Sequence, residues 1–143
     1  MDISFNFLSS ISLPQRQKLR NFILLLIKKE KKELGYLNVI FCSDPYILEI
    51  NKTYLSHDYF TDIITFSYAR GSSTTIEGDI YISVDTIRTN ALRFSTTIQK
   101  ELHRVIFHGV LHLCGFNDKN AKQQLMMTSK ENEYLDIYFS SKS

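Results

Sequence analysis

In the stretch HGVLHLCGFND, residues 108–118, two histidines stand four apart and an aspartate lies six residues beyond the second. On an α-helix positions 108 and 112 differ by about 40° around the axis and one turn along it, so both imidazoles can meet one ion. Cys114 is rotated roughly 240° from His108 by the same arithmetic and points away. Gly115 can take positive φ, end the helix and turn the chain back over its C-terminal end. Asp118 then offers an oxygen that closes a three-point face with His108 and His112. Asn117 competes for that role, but a carboxylate binds a divalent cation more strongly than an amide does. Two neutral imidazoles and one carboxylate, with a position left to water, form an open site of the catalytic type. Zinc suits the donors best, one ion per chain; nickel, manganese and iron also accept them.

A zinc peptidase helix carries a glutamate base beside its first histidine. Gly109 occupies that place, so peptide hydrolysis of that kind is disfavoured. Phosphodiester cleavage needs an ion that polarises a phosphate oxygen and activates water, with cationic groups for the charge. Carboxylates elsewhere that can assist are Asp62, Asp79 and Glu131. Asp79 after Gly78 reads as a turn or cap residue and Glu131 as a brace for a histidine. The catalytic base is left unassigned.

The elements that must position these residues are legible from periodicity. ISFNF near the N-terminus alternates as a strand does. Pro14 lies early in a helix that runs to Gly35, with Leu19, Phe22, Ile23, Leu26 and Ile27 as one apolar stripe. YLNVIFC from Tyr36 reads as a buried strand, and SDP at 43–45 opens a helix to about Tyr54. TDIITFSY from Thr61 and GDIYISV from Gly78 are β-rich and flank a turn, which predicts an antiparallel or meandering pair. A short helix is expected over 85–92. Thr96 and Gln99 form a capping-box pattern opening the histidine helix through Cys114. A last helix covers about 120–138. The class is α+β: a mixed sheet of about four strands covered by about five helices, with the metal site at the C-terminal end of the His108/His112 helix.

Composition bounds the rest. At 143 residues with 43% hydrophobic side chains the chain makes one domain, residues 1–143, around one core. The longest apolar run, Phe22 to Ile27, is six residues, where crossing a bilayer takes about 20. No export signal is expected, and the default location is the cytoplasm. Cys42 and Cys114 read as buried thiols. The net charge is only +2, yet 13–35 holds seven Lys or Arg against two Glu. That segment reads as a solvated helix face first and an anion footprint second.

The residues around the histidines resemble a known family, the YbeY endoribonucleases, bacterial factors in ribosomal RNA maturation. Its hallmark is H-G-x-L-H-L-x-G-Y-D-H, and this chain reads HGVLHLCGFND. INKTYLSHDYFTDIITFS at 50–67 is similar to its L-N-x-x-Y-R-x-K-D-x-P-T-D-V-L-S-F-P segment, and EGDIYIS at 77–83 to its G-D-I-x-I-S strand. Met127 and Glu131 match M-x-x-x-E of its last helix, and Glu101 agrees as well. The resemblance implies zinc at His108, His112 and the third-ligand position. The family has histidine there where this chain has Asp118, and aspartate where it has Asn117. It implies cleavage of single-stranded RNA in ribosomal RNA maturation, at the 3′ end of the small-subunit RNA, and in ribosome quality control. The expected partners are RNA and ribosomal particles, with no membrane and no DNA. The family's arginine after the tyrosine is Leu55 here and its lysine is His57; a leucine cannot pair with phosphate, so either another cation takes the role, with His57, Arg104 and Lys119 as candidates, or the activity is weaker or differs in substrate. Two other functions compete. A hydrolase of a small molecule or peptide would show itself in a substrate screen, and a ribosome-associated binding factor with a structural metal would co-sediment with ribosomal particles without cutting RNA.

Overall fold

A computed structural model describes residues 2–55, 62–69 and 74–140, with the side chain of Leu55 outside the description. The described residues form five helices and one sheet of four strands, the strands being β1 (Ile3–Phe7), β2 (Glu33–Cys42), β3 (Ile63–Ser67) and β4 (Thr75–Ser83). The helices are α1 (Arg16–Lys29), α2 (Asp44–Leu55), α3 (Val84–Arg93), α4 (Ile98–Leu113) and α5 (Ala121–Ser140). The strand order is β1-β2-β4-β3, with β1, β2 and β4 parallel and β3 antiparallel to β4. The expected mixed four-stranded sheet, five helices and antiparallel β3–β4 pair are all present. No helix among the described residues is long and apolar enough to cross a membrane.

Alternation along the strands divides the sheet into two faces. Ile3, Leu37, Val39, Phe41, Ile80 and Ile82 point to one side, where α1, α4 and α5 bury Ile23, Leu26, Phe107, Val110 and Tyr134 against them. The register runs Phe5–Val39–Ile80–Thr65 across that face, so Thr65 and Ile63 of the edge strand β3 end on the side where α4 lies. On the other face α2 packs Ile47 and Ile50 on Cys42 and Ile64. A polar ladder crosses this face in place of a further helix: Ser4 donates to Asn38 (2.6 Å), Asn38 to Asp79 (2.9 Å) and Tyr68 to Asp79 (3.0 Å). Cys42 and Cys114 are buried free thiols, as their number suggested.

Several boundaries differ from the sequence expectations. Helix α1 stops at Lys29 and β2 starts at Glu33, so Gly35 is a strand residue at a register shift, not a helix stop. The reversal falls on Lys31, whose φ of 63° is left-handed. Nearby, Lys130 donates to Glu30 at 3.1 Å and Tyr134 donates to the same carboxylate, anchoring the helix end to α5. Pro14 precedes α1 instead of opening it. The cap of α4 is Thr97, accepting from the Lys100 amide at 3.0 Å, one residue later than the expected Thr96; Gln99 donates instead to the Ser12 carbonyl at 2.8 Å. The expected strand start at Thr61, and His57, lie outside the described residues.

Candidate active site

Helix α4 is buried along most of its length, including Leu102, Ile106, Phe107, Val110 and Leu111. It can lie this close to the sheet because of one residue. A Cβ on Gly109 would stand 2.9 Å from Cδ1 of both Ile63 and Ile80, well inside van der Waals contact. The position beside the first histidine therefore faces the sheet, where a glutamate would have to displace Ile63 and Ile80. The puzzle of the missing base is a packing requirement: the helix is pressed onto β3 and β4 at that point.

Rotated away from this contact, His108 and His112 face the edge strand. Together with Asp62, Ile63 and Thr65 from the start of β3, and Asp118 from the turn after α4, they line one cleft of about 420 Å³. Asp118 is brought there as expected, since Gly115 adopts a φ of 109° and reverses the chain. Its carboxylate Oδ2 lies 3.4 Å from His108 Nε2.

Both rings are oriented by their other nitrogen. His108 Nδ1 donates to Glu131 Oε2 at 2.6 Å, and His112 Nδ1 donates to the Phe116 carbonyl at 3.0 Å. Each bond fixes a tautomer and leaves Nε2 as the nitrogen not engaged by it. Glu131 is itself clamped, because Arg104 Nη1 donates to its Oε1 at 3.0 Å while Arg104 Nη2 reaches Asn132 at 2.8 Å. Burial disfavours the charged form of His108, but the Glu131 hydrogen bond and the charges of Glu131, Asp118 and Asp62 outweigh it and hold its pKa above the ordinary imidazole value. Asp62 is raised: burial dominates, the charge of His108 partly offsets it, and Glu131 and Asp118 add to it.

The three carboxylates singled out by sequence have separated. Asp62 lines the cleft. Glu131 braces His108, as expected. Asp79 is not a turn residue: it lies within β4 on the opposite face, with both oxygens occupied by Asn38 and Tyr68, so it cannot serve this cleft. Cys114 is buried in the core and away from the site, in line with its helical phase. The Phe116 carbonyl and the Arg104 clamp were not anticipated. A backbone acceptor leaves no side-chain signal, and Arg104 stands in the sequence only as a candidate cation, with nothing local to pair it with Glu131. Among the described residues no three His, Cys, Asp or Glu side chains are gathered closely enough to enclose an ion as they stand.

Two oriented imidazoles and two carboxylates around one cleft, on an α+β sheet, are the equipment of a hydrolase. The family model described as Endoribonuclease YbeY matches residues 6–138, and the chain belongs to that family. A relative from Flavobacterium psychrophilum, named Endoribonuclease YbeY, is 44% identical over 136 residues, covering 95% of this chain and 96% of its own. One of the same name from Bacteroides thetaiotaomicron is 55% identical over 104 residues, 73% of this chain and 74% of its own. The fold is similar to a solution structure of a Thermotoga maritima protein, with a TM-score of 0.64 at 29% identity over 96% of this chain and 89% of that one.

Proposed function

We propose that this protein is a metal-dependent endoribonuclease that cuts single-stranded RNA, acting in the cytoplasm on ribosomal RNA and ribosomal particles. The observation that carries this reading is the pairing of each cleft histidine with an Nδ1 acceptor, Glu131 for His108 and the Phe116 carbonyl for His112. A buried carboxylate and a reserved carbonyl holding two imidazoles four residues apart is the support that metal-binding histidines require. Asp118 fits as third ligand. Its carboxylate lies 3.4 Å from His108 Nε2 and lines the same cleft as both histidines. His108, His112 and Asp118 would therefore hold one divalent ion, zinc by preference. When bound, it supplies Lewis-acid polarisation of a phosphate oxygen and a lowered pKa for water.

The chain's own groups do the rest. Glu131 keeps His108 in the Nδ1–H tautomer, and Arg104 keeps Glu131 in place. Gly109 lets α4 approach Ile63, which lines the sheet side of the cleft. Of the carboxylates considered, Asp62 alone lines the cleft without serving as brace or proposed ligand, which makes it the candidate to take a proton. A duplex is held too rigidly to present one phosphodiester to a site at a helix end beside an edge strand, which supports a single-stranded substrate. The test is metal content measured with cleavage of single-stranded and duplex RNA by the same preparation: metal-dependent cutting of the single strand alone is expected. Cutting that persists in chelator would contradict it.

A further inference from the structure

A second cleft, of about 690 Å³, lies between the end of α3, the start of α4 and the middle of α5. Its lining includes Phe94, Lys100, Arg104, Thr128, Glu131 and Asn132. Glu131 is shared: one carboxylate oxygen faces Arg104 at this cleft and the other holds His108 of the first. Lys100, Arg104, His108 and His112 follow one another at intervals of four on α4. They form a slanting row on the helix surface with a step of about 6 Å along the axis. The second cleft therefore continues the first along one helix.

Its chemistry is that of a nucleotide subsite. Phe94, the residue capping α3, is 61% exposed at the cleft's rim, with the Arg93 guanidinium 5.7 Å from its ring centroid as a further cation beside it. Lys100 is exposed and has no carboxylate partner among the described residues. Arg104 commits two of its donors to Glu131 and Asn132, leaving three of a guanidinium's five N–H groups for an anion. Thr128 and Asn132 add polar groups able to read a base edge. Of the acids present, Glu131 is paired with Arg104, and burial holds the Glu101 carboxyl above its ordinary pKa, which favours its uncharged form, so Lys100 carries the cleft's unpaired charge and Arg104 serves through its remaining N–H donors.

We infer that this cleft binds a nucleotide of the single-stranded RNA next to the one being cut, its base stacked on Phe94 and its phosphate held by Lys100 and Arg104. The inference rests on the endoribonuclease reading above, and it makes Arg104 the cation that answers for Leu55. Base stacking on an aromatic ring contributes about 1–3 kcal/mol, or roughly 5- to 150-fold in affinity. Each phosphate contact to a single strand adds about 0.7 to the salt slope of log K.

The test is binding of a fluorescent single-stranded oligonucleotide by Phe94→Ala, Lys100→Ala and Arg88→Ala variants of the full chain, across a salt series. Arg88 lies away from both clefts, donating to the Ser10 carbonyl, and its variant is the control for diffuse charge. Phe94→Ala is expected to weaken binding at least fivefold, and that loss should vanish when one particular nucleotide near the cut is made abasic. Lys100→Ala should reduce the salt slope by about 0.7, with unchanged melting temperature because the side chain is exposed. If the parent protein binds and cuts while both variants match it, or if Arg88→Ala does equal damage, the subsite is refuted and the endoribonuclease reading stands. A metal-loaded parent that neither binds nor cuts single-stranded RNA would overturn both.

Discussion

Replacing Glu131 by Gln tests the bracing of the site while nearly preserving shape. Glu131 is 7% exposed and accepts from His108 Nδ1 at 2.6 Å and Arg104 Nη1 at 3.0 Å. An amide has one acceptor oxygen and one donor nitrogen, so it cannot accept from both. Either His108 loses its acceptor or an N–H is turned toward the guanidinium. Losing a hydrogen bond to a charged group costs about 1.5–3 kcal/mol. The Arg104 side is one-third exposed and adds little after solvent screening, so about 2 kcal/mol is expected in total. For a chain of this length that is a fall of about 5–8 °C in melting temperature. Loosening a ring that holds a metal costs roughly 10- to 100-fold in affinity. Thermal melting of metal-free protein and chelator competition for zinc measure the two effects separately. A Gln variant that melts with the parent and binds metal equally well would refute the bracing argument.

Other outcomes follow from the same geometry. Asp118→Ala should cut metal affinity by orders of magnitude, Asp118→His should retain it, and Asn117→Ala should change it little, all read by chelator competition. Gly109→Glu should lower the melting temperature, because a Cβ would meet Ile63 and Ile80 at 2.9 Å and force both side chains to shift while a carboxylate is brought against the sheet; near-native melting would overturn the packing explanation for the absent base. His103 is buried, with Nδ1 against the Gln99 carbonyl and no partner for Nε2 among the described residues, and burial lowers its pKa. The folded state therefore takes up this proton less readily than the unfolded chain, and the His103 contribution to stability should fall as pH drops below about 6.5, by at most about 1.4 kcal/mol per pH unit, opposite in sign to that of His108, whose pKa is raised. His103→Phe should flatten that part of the stability–pH curve in denaturant titrations, and an unchanged slope would show His103 is not responsible.

The helical phase of His108 and His112, the turn at Gly115 and the return of Asp118 were legible because each depends on local geometry. So was the mixed sheet, since Ile, Val and Phe alternate through β1, β2 and β4. What sequence could not show is decided by tertiary contact. Asp79 follows a glycine and looked like a turn residue, but cross-strand bonds to Asn38 and Tyr68 place it mid-strand on the far face. Gly35 looked like a helix stop, yet the α1 end is set by Glu30 bonding to Lys130 and Tyr134, about 100 residues away in sequence. Gly109 could be seen to exclude a base, but its reason, contact with Ile63 and Ile80, exists only once α4 is laid on the sheet.

The most direct measurement of the central claim is zinc content and single-stranded RNA cleavage, determined side by side on the parent protein and on His112→Ala. His112 lies in the cleft with its Nδ1 on the Phe116 carbonyl, and the substitution removes a proposed ligand without touching Glu131 or Arg104. About one ion per chain with cleavage in the parent, and loss of both in the variant, is the predicted result. Full metal occupancy and undiminished cleavage in His112→Ala would contradict the assignment of the site.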